Sequence, residues 1–240
     1  MIGVVLAAGV ASRLRPLTET VPKCLLPLGS RPLLGHVLFS LWEAGLSRCV
    51  IVTGYRAPQI QTFVDSLALP LPVTCLHNPR YEETNNNYSL WLAGEYARGD
   101  SMLMLDGDIL FAPQILRDLL REPAGNALAV RSRGHVGTED VKVQCDAQGC
   151  VVRIGKEIDP AVAAGESIGI EKFDRTTTLA LFDVLERRRE GFEFYEASFQ
   201  EIINGGACIR TVDTGAHPCM EIDTIEDYRA ACALAERTGI

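Results

Sequence analysis

The start of the chain places two basic side chains after a turn of small residues, a combination suited to binding a triphosphate. Small side chains let backbone N–H groups approach a bulky anion closely. Arg13 and Lys23 lie ten positions apart, so one cation can neutralise phosphate charge while the other fixes the group under attack. We predict that both are catalytic. The predicted nucleotide-binding turn consists of Leu6, Ala7, Ala8, Gly9, Val10, Ala11 and Ser12.

Two carboxylates follow an apolar run near the middle of the chain. Residues 101–105 read Ser-Met-Leu-Met-Leu, and Asp106 and Asp108 come next, separated by Gly107. Successive residues of a strand point to opposite faces, so both acids can point the same way. Carboxylate oxygens at a strand end are suitable ligands for Mg²⁺. The pattern predicts a metal site, the alternative being a polar turn in which aspartate only shapes the backbone.

A third group of chemically useful side chains lies between residues 192 and 203. Phe194, Tyr195 and Phe199 put aromatic rings beside the acid Glu196. Such a combination can form a cage for a quaternary or primary amine. The same side chains can equally belong to the hydrophobic core.

The elements that must position these residues alternate between strands and helices. Residues 2–6 form a short, wholly apolar run typical of a buried parallel strand, and 49–53 form a second. Residues 32–46 and 57–67 have the apolar spacing of amphipathic helices. The β-α-β-α order predicts a Rossmann-like α/β fold, with a mixed, mostly parallel sheet flanked by helices.

A third strand is predicted over residues 71–78, ending at Asn78. In this fold class ligands collect beyond the carboxyl ends of the strands, so we predict that Asn78 binds the nucleotide. A further strand is expected from residue 101 to the two acids, with others at 127–131 and 209–213, and helices are expected at 89–97, 113–121, 176–189 and from residue 220 onward.

The pattern changes at Glu139 to alternating strands around the turn 147–149, which predicts an antiparallel β-hairpin. Another strand is expected at 165–173. We predict one domain over residues 1–240, with a small β insertion at about 139–172.

Composition limits the classes of partner. Of the 240 residues, 47% are hydrophobic, enough for a sizeable core. A formal net charge of −8 argues against non-specific binding to nucleic acid or to an acidic membrane. The start of the chain lacks the basic residues of a secretion signal, and no run of about 18 apolar residues occurs. We expect a cytoplasmic, soluble protein that binds neither nucleic acid nor membrane.

The cysteines show no pattern of a metal cluster or a disulfide scaffold. There are eight, without a C-x-x-C pair and without a histidine at zinc-finger spacing. We therefore expect reduced, mostly buried thiols.

The first 28 residues resemble the signature of the nucleotidyltransferases that activate phosphorylated small molecules. The chain reads L-A-A-G-V-A-S-R-L-R-P-L-T over residues 6–18 and P-K-C-L-L-P-L over 22–28, which follow that signature closely. One departure is Ala11, where the family usually has a second glycine. Alanine keeps the N–H donor, and a positive φ there would cost on the order of 1 kcal/mol. The resemblance implies the nucleotide-diphospho-sugar transferase-like fold.

The resemblance also implies two magnesium ligands. In this family the aspartate at the end of the middle strand binds the metal, and Asp108 matches it, while Asp106 is expected to face the substrates and to bind both the nucleotide and the acceptor. Residues 221–228 resemble the C-terminal motif, whose first aspartate is the second ligand, matched here by Asp223. Without the resemblance, Asp-Thr-x-Glu at 223–226 would predict only a capping box at a helix start. The implied cofactor is Mg²⁺.

Other segments resemble the bacterial phosphocholine cytidylyltransferases. Residues 85–90 read Asn-Asn-Asn-Tyr-Ser-Leu, and the resemblance implies that Asn86 and Ser89 bind the nucleotide, a capped helix start being the alternative. The β insertion is expected to cover the acceptor. The residues predicted to bind the acceptor are Asp106, Lys142, Lys156, Glu171, Tyr195 and Glu196, of which Lys156 is also predicted to be catalytic through the acceptor phosphate.

Together these features predict a cytidylyltransferase. CMP would pass from CTP to phosphocholine, 2-aminoethylphosphonate or a similar small head group, and pyrophosphate would be released. The expected partners are a nucleoside triphosphate, with CTP favoured, and a small phosphorylated acceptor. A homodimer is one expected assembly.

Three alternatives stay open. A sugar-1-phosphate nucleotidyltransferase has the same chemistry, although such proteins usually run longer and commonly have Gly-Asp-Asn where this chain has Asp106-Gly107-Asp108. A catalytically silent nucleotide sensor would share the fold but would not need the full set of cations and acids. A dinucleotide oxidoreductase is disfavoured, because no acid follows the turn by about 20 residues to bind a ribose.

Overall fold

The sheet at the centre of the protein has nine strands in the computed structural model, which describes residues 1–132, 137 and 139–238. Two short sheets of two strands each accompany it. The strands are β1 (Ile2–Ala7), β2 (Pro27–Leu28), β3 (Arg31–Pro32), β4 (Arg48–Thr53), β5 (Val73–His77), β6 (Met102–Asp106), β7 (Ile109–Phe111), β8 (Ala127–Arg131), β9 (Lys142–Cys145), β10 (Val151–Gly155), β11 (Gly165–Phe173), β12 (Arg210–Asp213) and β13 (Cys219–Glu221).

The N-terminal strands form the parallel part of the central sheet, in the order β6-β1-β4-β5. Parallel strands end at the same edge of a sheet, so Leu6 of β1 lies opposite Asp106 of β6. On the other side of β6, β11 pairs in the antiparallel direction and continues to β8 and β9. The sheet therefore presents the ends of β1 and β6 side by side.

Helices cover both faces of this sheet. A short apolar strand contributes side chains to the cores on both faces of the sheet. In β1, Val4 belongs to one core cluster and its neighbour Val5 to the other. The longest helices have 14 residues, so no helix in the described part of the chain is long enough to cross a membrane. The helices are α1 (Leu33–Glu43), α2 (Ala57–Ser66), α3 (Asn86–Leu92), α4 (Gly94–Ala97), α5 (Pro113–Arg121), α6 (Arg175–Arg188), α7 (Tyr195–Asn204) and α8 (Ile225–Thr238).

Membership of the two core clusters shows which face of the sheet each helix covers. Leu38 of α1 and Leu116 of α5 pack in the cluster that contains Val5. Leu181 of α6 and Phe199 of α7 pack in the cluster that contains Val4. The predicted fold is confirmed: a mixed α/β sheet flanked by helices, with short antiparallel pairs.

The predicted hairpin consists of β9 and β10, which pair in the antiparallel direction. Gly149 has φ 78° at its turn, a conformation that side chains with a Cβ rarely adopt. β9 also pairs with β11, which joins the hairpin to the central sheet. The division of the chain into one domain with an insertion stays a prediction.

The strand predicted to end at the two acids is β6, and a turn at residues 107–108 separates it from β7. Two predicted helix boundaries were wrong. The helix expected at 89–97 begins at Asn86, because the Asn85 side chain accepts a hydrogen bond from the Asn86 N–H at 2.9 Å. The last helix begins only at Ile225, after β13.

The expectation that all cysteines are reduced was also wrong. Cys150 and Cys208 form a disulfide, with Cα atoms 5.3 Å apart. Cys150 lies beside the hairpin turn and Cys208 precedes β12, 58 residues later. Pairing of Cys150 with Arg210 in an isolated bridge brings the two segments together, a contact that sequence spacing does not reveal.

Candidate active site

A cavity of about 870 Å³ lies beyond the carboxyl ends of β1 and β6. This is the edge at which ligands bind in parallel α/β sheets, and the size suits a nucleotide with a small second molecule. The residues proposed from the sequence that line the cavity are Leu6, Ala7, Ala8, Gly9, Ala11, Arg13, Lys23, Asn86, Ser89, Asp106, Asp108, Lys156, Tyr195, Glu196 and Asp223. The proposed residues that do not line it are Val10, Ser12, Asn78, Lys142 and Glu171.

Two glycines shape the backbone on one side of the cavity. A Cβ on Gly107 would lie 2.6 Å from the carbonyl oxygen of Leu6, so only glycine lets the β6–β7 turn approach β1 this closely. A Cβ on Gly9 would meet no atom within 4 Å, so the loop after β1 leaves open space. Ala11 has φ 52°, the left-handed conformation expected at the position where relatives use glycine, at a cost of about 1 kcal/mol.

Three carboxylates converge at one end of the cavity. One oxygen from each of Asp108, Glu221 and Asp223 lies within 4.8 Å of the others. Lys23 contacts two of them, with Nζ 3.0 Å from Asp108 and 2.8 Å from Asp223. Arg13 lies 2.6 Å from the second oxygen of Asp223. The cations and acids predicted from three distant segments therefore meet at one place.

The pairing of β7 with β13 brings the acids together. These strands are antiparallel, with Glu221 opposite Ile109, the residue after Asp108. The N–H of Ile222 donates to the carbonyl oxygen of Asp108 at 3.0 Å. Strand pairing thus fixes the position of Glu221 and Asp223 relative to Asp108.

The start of α8 leaves the Asp223 carboxylate available. A capping box forms here, but one residue later than the pattern Asp-Thr-x-Glu suggested. The Thr224 N–H donates to Oδ2 of Asp227 at 2.8 Å, and the Asp227 N–H donates to Oγ1 of Thr224 at 3.1 Å. Because Thr224 and Asp227 complete the cap, the Asp223 side chain is free to face Lys23 and Arg13.

The charges at this end are mutually dependent. Burial alone would lower the pKa of Lys23, but the charges of Asp108 and Asp223 outweigh burial and raise it above its ordinary value. Burial alone would raise the pKa of Asp223, but Lys23 and Arg13 outweigh burial and hold it below its ordinary value. Desolvation by the surrounding protein and the charges of Asp108 and Asp223 raise the pKa of Glu221 to about 8, although the charge of Lys23 opposes them.

Glu221 is a functional candidate that the sequence analysis missed. It stands two positions before Asp223, as Asp106 stands two positions before Asp108. Alternate residues of a strand share a face, so this Glu-x-Asp spacing was the signal that could have identified it. Carboxylate oxygens are the donors that Mg²⁺ prefers, and the three acids fit a divalent cation by their chemistry.

The other end of the cavity is built around Asp106 and Tyr195. The Tyr195 hydroxyl donates to Oδ2 of Asp106 at 2.6 Å. The Tyr195 N–H donates to Oδ1 of Asn86 at 2.9 Å, which holds the start of α7 against the start of α3. Gly169 has φ 69°, and a Cβ there would lie 2.5 Å from Asp106. Burial and the charge of Asp108 raise the pKa of Asp106 well above its ordinary value, although the Tyr195 hydrogen bond opposes them.

Two further proposed residues lie beside this end. Glu196 lines the cavity, and its Oε2 atom is buried without a hydrogen-bond partner among the described residues. Lys156 is exposed on the hairpin side, with Nζ 5.9 Å from the centre of the Phe194 ring. Burial raises the pKa of Glu196, and the charge of Lys156 opposes that rise.

The remaining proposed residues support the site from outside the cavity. The Asn78 amide donates to Oγ of Ser89 at 3.0 Å, so it positions α3. Lys142 is 1% exposed, and its ammonium donates to the carbonyl oxygen of Asp140 at 2.8 Å. Glu171 is fully buried on β11, where the Ser167 hydroxyl donates to it at 3.3 Å. Burial, with the charges of Asp106 and Glu196, raises the pKa of Glu171 well above its ordinary value.

Known proteins of similar sequence include two enzymes that handle cytidine nucleotides. The chain is 29% identical over 238 residues to the CMP-5′-(3-aminopropyl)phosphonate synthase of Streptomyces rubellomurinus, a match that covers 95% of this chain and 38% of the synthase. The chain thus spans about two fifths of that protein. It is 26% identical over 238 residues to the choline-phosphate cytidylyltransferase of Streptococcus pneumoniae, covering 95% of this chain and 96% of the other.

Solved structures and family models agree with these relatives. The inositol-1-phosphate CTP transferase of T. maritima superposes with a TM-score of 0.81 at 24% identity, covering 98% of this chain and 96% of the other, which shows the shared fold. The model of the MobA-like NTP transferase domain matches residues 3–172, well over half of the chain. The resemblance to nucleotidyltransferases inferred from the sequence is confirmed. The chain belongs to the MobA-like NTP transferase domain family.

Proposed function

We propose that the protein transfers CMP from CTP to a small acceptor that carries a phosphate or phosphonate group, and releases pyrophosphate. The observation that carries this proposal is the convergence of Arg13 and Lys23 with three carboxylates at one end of a nucleotide-sized cavity. Two relatives whose matches each cover 95% of this chain support it, one named a CMP-5′-(3-aminopropyl)phosphonate synthase and the other a choline-phosphate cytidylyltransferase.

The reaction requires no covalent residue on the protein. An oxygen of the acceptor forms a bond to the α-phosphorus of CTP, while the bond from that phosphorus to the oxygen bridging to the β-phosphorus breaks. Pyrophosphate leaves with the electron pair of that bond. The acceptor oxygen is already a nucleophile, so the protein contributes alignment and stabilisation of charge.

Asp108, Glu221 and Asp223 are the residues that would hold Mg²⁺. When bound, the ion supplies positive charge that offsets the charge of the triphosphate. Arg13 binds the leaving phosphates and Lys23 the reacting ones. Since both cations pair with carboxylates in the free protein, arrival of the triphosphate gives them a new set of anionic partners.

The nucleotide occupies the side of the cavity formed by the loop after β1 and by α3. The open space beside Gly9 lets the triphosphate lie against the backbone. Asn86 uses its oxygen to accept from Tyr195, while its amide nitrogen has no acceptor among the described residues. That nitrogen is a donor for the base or ribose, and Ser89 lies one helical turn further on.

The acceptor occupies the end formed by Asp106, Tyr195 and Glu196. Lys156, exposed at this end, binds the acceptor phosphate. Lys142 and Glu171 lie outside the cavity, so they act on this end only by supporting β9 and β11. The homodimer and the cytoplasmic location stay predictions.

The test is pyrophosphate release with Mg²⁺. CTP, UTP, GTP, ATP and dTTP are each combined with phosphocholine, 2-aminoethylphosphonate and several sugar 1-phosphates. We expect release only with CTP and an amine-bearing acceptor. If a sugar 1-phosphate is preferred, the metal and phosphate assignments stand but the proposed class of acceptor is wrong. If a nucleotide binds but no pyrophosphate is released, the protein is a nucleotide sensor. An Asp108→Asn variant serves as the inactive control.

A further inference from the structure

We infer that the acceptor carries a primary ammonium group, which donates a hydrogen bond to Glu196, and that the site selects it over a quaternary ammonium. This inference rests on the proposed function and identifies the substrate class of the same cavity. Three features carry it: the charge of the acceptor end, an unpaired buried carboxylate oxygen, and the way in which the aromatic rings are already occupied.

The acceptor end brings several carboxyl groups together. Asp106 and Glu196 line it, and Glu171 lies close enough for both of their charges to act on it. Arg131, which also lines the cavity, forms an ion pair with Glu166 at 2.5 Å. The Lys156 ammonium lies 5.9 Å from the centre of the Phe194 ring, and its charge opposes the rise in the pKa of Glu196. A cationic ligand at this end would favour the charged form of Glu196, whose pKa burial raises in the free protein.

Glu196 identifies the kind of cation. Its Oε2 atom is buried, and no donor in the described part of the chain reaches it. A buried oxygen without a hydrogen bond is costly, and a donor that reaches it removes the cost. A primary ammonium has three N–H donors, whereas a trimethylammonium has none. A quaternary group would leave Oε2 unpaired.

The aromatic rings do not form a cage. A quaternary ammonium is recognised by the open faces of aromatic rings. Tyr195 is only 3% exposed, its hydroxyl is committed to Asp106, and its ring lies 4.9 Å from that of Phe199. Lys156 stands over the Phe194 ring, so the protein's own ammonium already uses that ring.

The third aromatic ring of the cavity lies at the nucleotide end. Tyr81 packs beside Gly54, whose added Cβ would lie 2.6 Å both from Tyr81 and from the carbonyl oxygen of Ala8. Ala8 belongs to the loop after β1, so Tyr81 is on the triphosphate side. Among the described lining residues, no group of exposed aromatic ring faces therefore surrounds Glu196.

The first test compares acceptors that differ only in the nitrogen. 2-Aminoethylphosphonate and its N-methyl, N,N-dimethyl and N,N,N-trimethyl derivatives are assayed with CTP and Mg²⁺, beside ethylphosphonate, which lacks nitrogen. We expect kcat/KM to fall with methylation, with a loss of roughly ten- to hundredfold for the trimethyl compound, the effect of one charge-assisted hydrogen bond. A trimethyl compound that is used as well as the primary amine would overturn the inference.

The second test assigns the effect to Glu196. Glu196→Gln keeps the shape of the side chain but removes its charge. We expect KM for 2-aminoethylphosphonate to rise roughly tenfold or more, and KM for ethylphosphonate to rise by a smaller factor, so that the preference for the amine falls. Glu193→Gln, three positions earlier and outside the cavity, is the matched control and should leave both acceptors unaffected. An equal loss for both acceptors would mean that Glu196 only supports the fold.

Different results would contradict the ammonium inference and the proposed function. If ethylphosphonate and all the amines give pyrophosphate at equal rates, the protein is a cytidylyltransferase but the ammonium inference is wrong. If none gives pyrophosphate while CTP still binds, as followed by calorimetry, the proposed function itself is wrong.

Discussion

Lys23 places its ammonium nitrogen 2.8 Å from Oδ1 of Asp223, a residue 200 positions later in the chain. The same nitrogen lies 3.0 Å from Asp108. In the free protein Lys23 thus occupies the carboxylates that the proposed reaction assigns to Mg²⁺. This relationship gives Lys23 two separable effects, one on catalysis and one on metal binding.

Lys23→Met is expected to lower kcat/KM roughly 100-fold or more, because a preorganised cation is lost from the reacting phosphates. In the absence of nucleotide, the same variant should bind Mn²⁺ at least about tenfold more tightly, since a unit charge a few ångströms away is worth roughly 1–4 kcal/mol. Titration calorimetry measures the second effect. Arg15→Met, an exposed cation outside the cavity, is the control and should change neither quantity. Unchanged Mn²⁺ affinity in Lys23→Met would contradict the proposal that Lys23 and the metal ion compete for the same carboxylates.

Glu221→Gln tests the third carboxylate. If Glu221 contributes to the metal site, the Mg²⁺ concentration needed for half-maximal activity should rise by roughly tenfold, the loss of one charged ligand. Activity is measured over a Mg²⁺ series at saturating CTP. Glu226→Gln, an exposed residue on the first turn of α8, is the matched control. An unaltered Mg²⁺ requirement would remove Glu221 from the site.

Gly9 and Gly107 should respond in opposite ways to alanine. Gly107→Ala forces a Cβ within 2.6 Å of the Leu6 carbonyl oxygen, and should destabilise the fold by about 1–3 kcal/mol. Gly9→Ala meets no atom within 4 Å, so its unfolding temperature should match that of the wild type. Its KM for CTP should nevertheless rise, because the methyl group enters the space of the triphosphate. An unchanged KM in Gly9→Ala would place the triphosphate elsewhere.

Removal of the Cys150–Cys208 disulfide should lower stability. The bond closes a segment with a sequence separation of 58, worth about 4 kcal/mol in the chain-entropy account. Unfolding in urea is compared for the wild type, the Cys150→Ala/Cys208→Ala double variant and the wild type with a reductant. Cys232→Ser, a free thiol on α8, is the control. Identical unfolding curves with and without reductant would show that the two thiols are not bonded in solution.

Glu171 should make stability depend on pH. Burial, with the charges of Asp106 and Glu196, raises its pKa in the folded state, so the unfolded state releases this proton at a lower pH than the folded state. Below the ordinary value of about 4.3 the proton stays bound in both states, and stability falls as pH rises from there towards the folded pKa.

Glu171→Gln removes this dependence. The free energy of unfolding of the variant relative to the wild type should therefore increase from pH 4 to pH 7, by about 1.4 kcal/mol for each unit of pH over which only the unfolded state is ionised. Glu236→Gln, exposed on α8, is the control and should show a flat difference. A flat difference for Glu171→Gln as well would mean that this carboxyl ionises normally in the folded protein.

Local patterns in the sequence were sufficient to predict most elements of the fold and the chemistry of one end of the cavity. Apolar runs and helical spacing are local patterns, and they predicted the α/β fold and the position of most strands. Arg13, Lys23 and Asp108 were proposed because each stands in a short motif whose residue types suit phosphate or metal chemistry, whereas Asp223 was proposed only through the family resemblance of its segment.

Which polar residues face the cavity depends on packing between distant segments. Asn78, Lys142 and Glu171 have the residue types of a binding site, but packing directs them into supporting positions. Glu221 joins the acids through the register of β7 and β13, and register depends on contacts between strands more than 100 residues apart. The disulfide arises in the same way, from segments that only folding brings together. Local periodicity cannot encode these contacts, because each depends on where a second, distant segment lies.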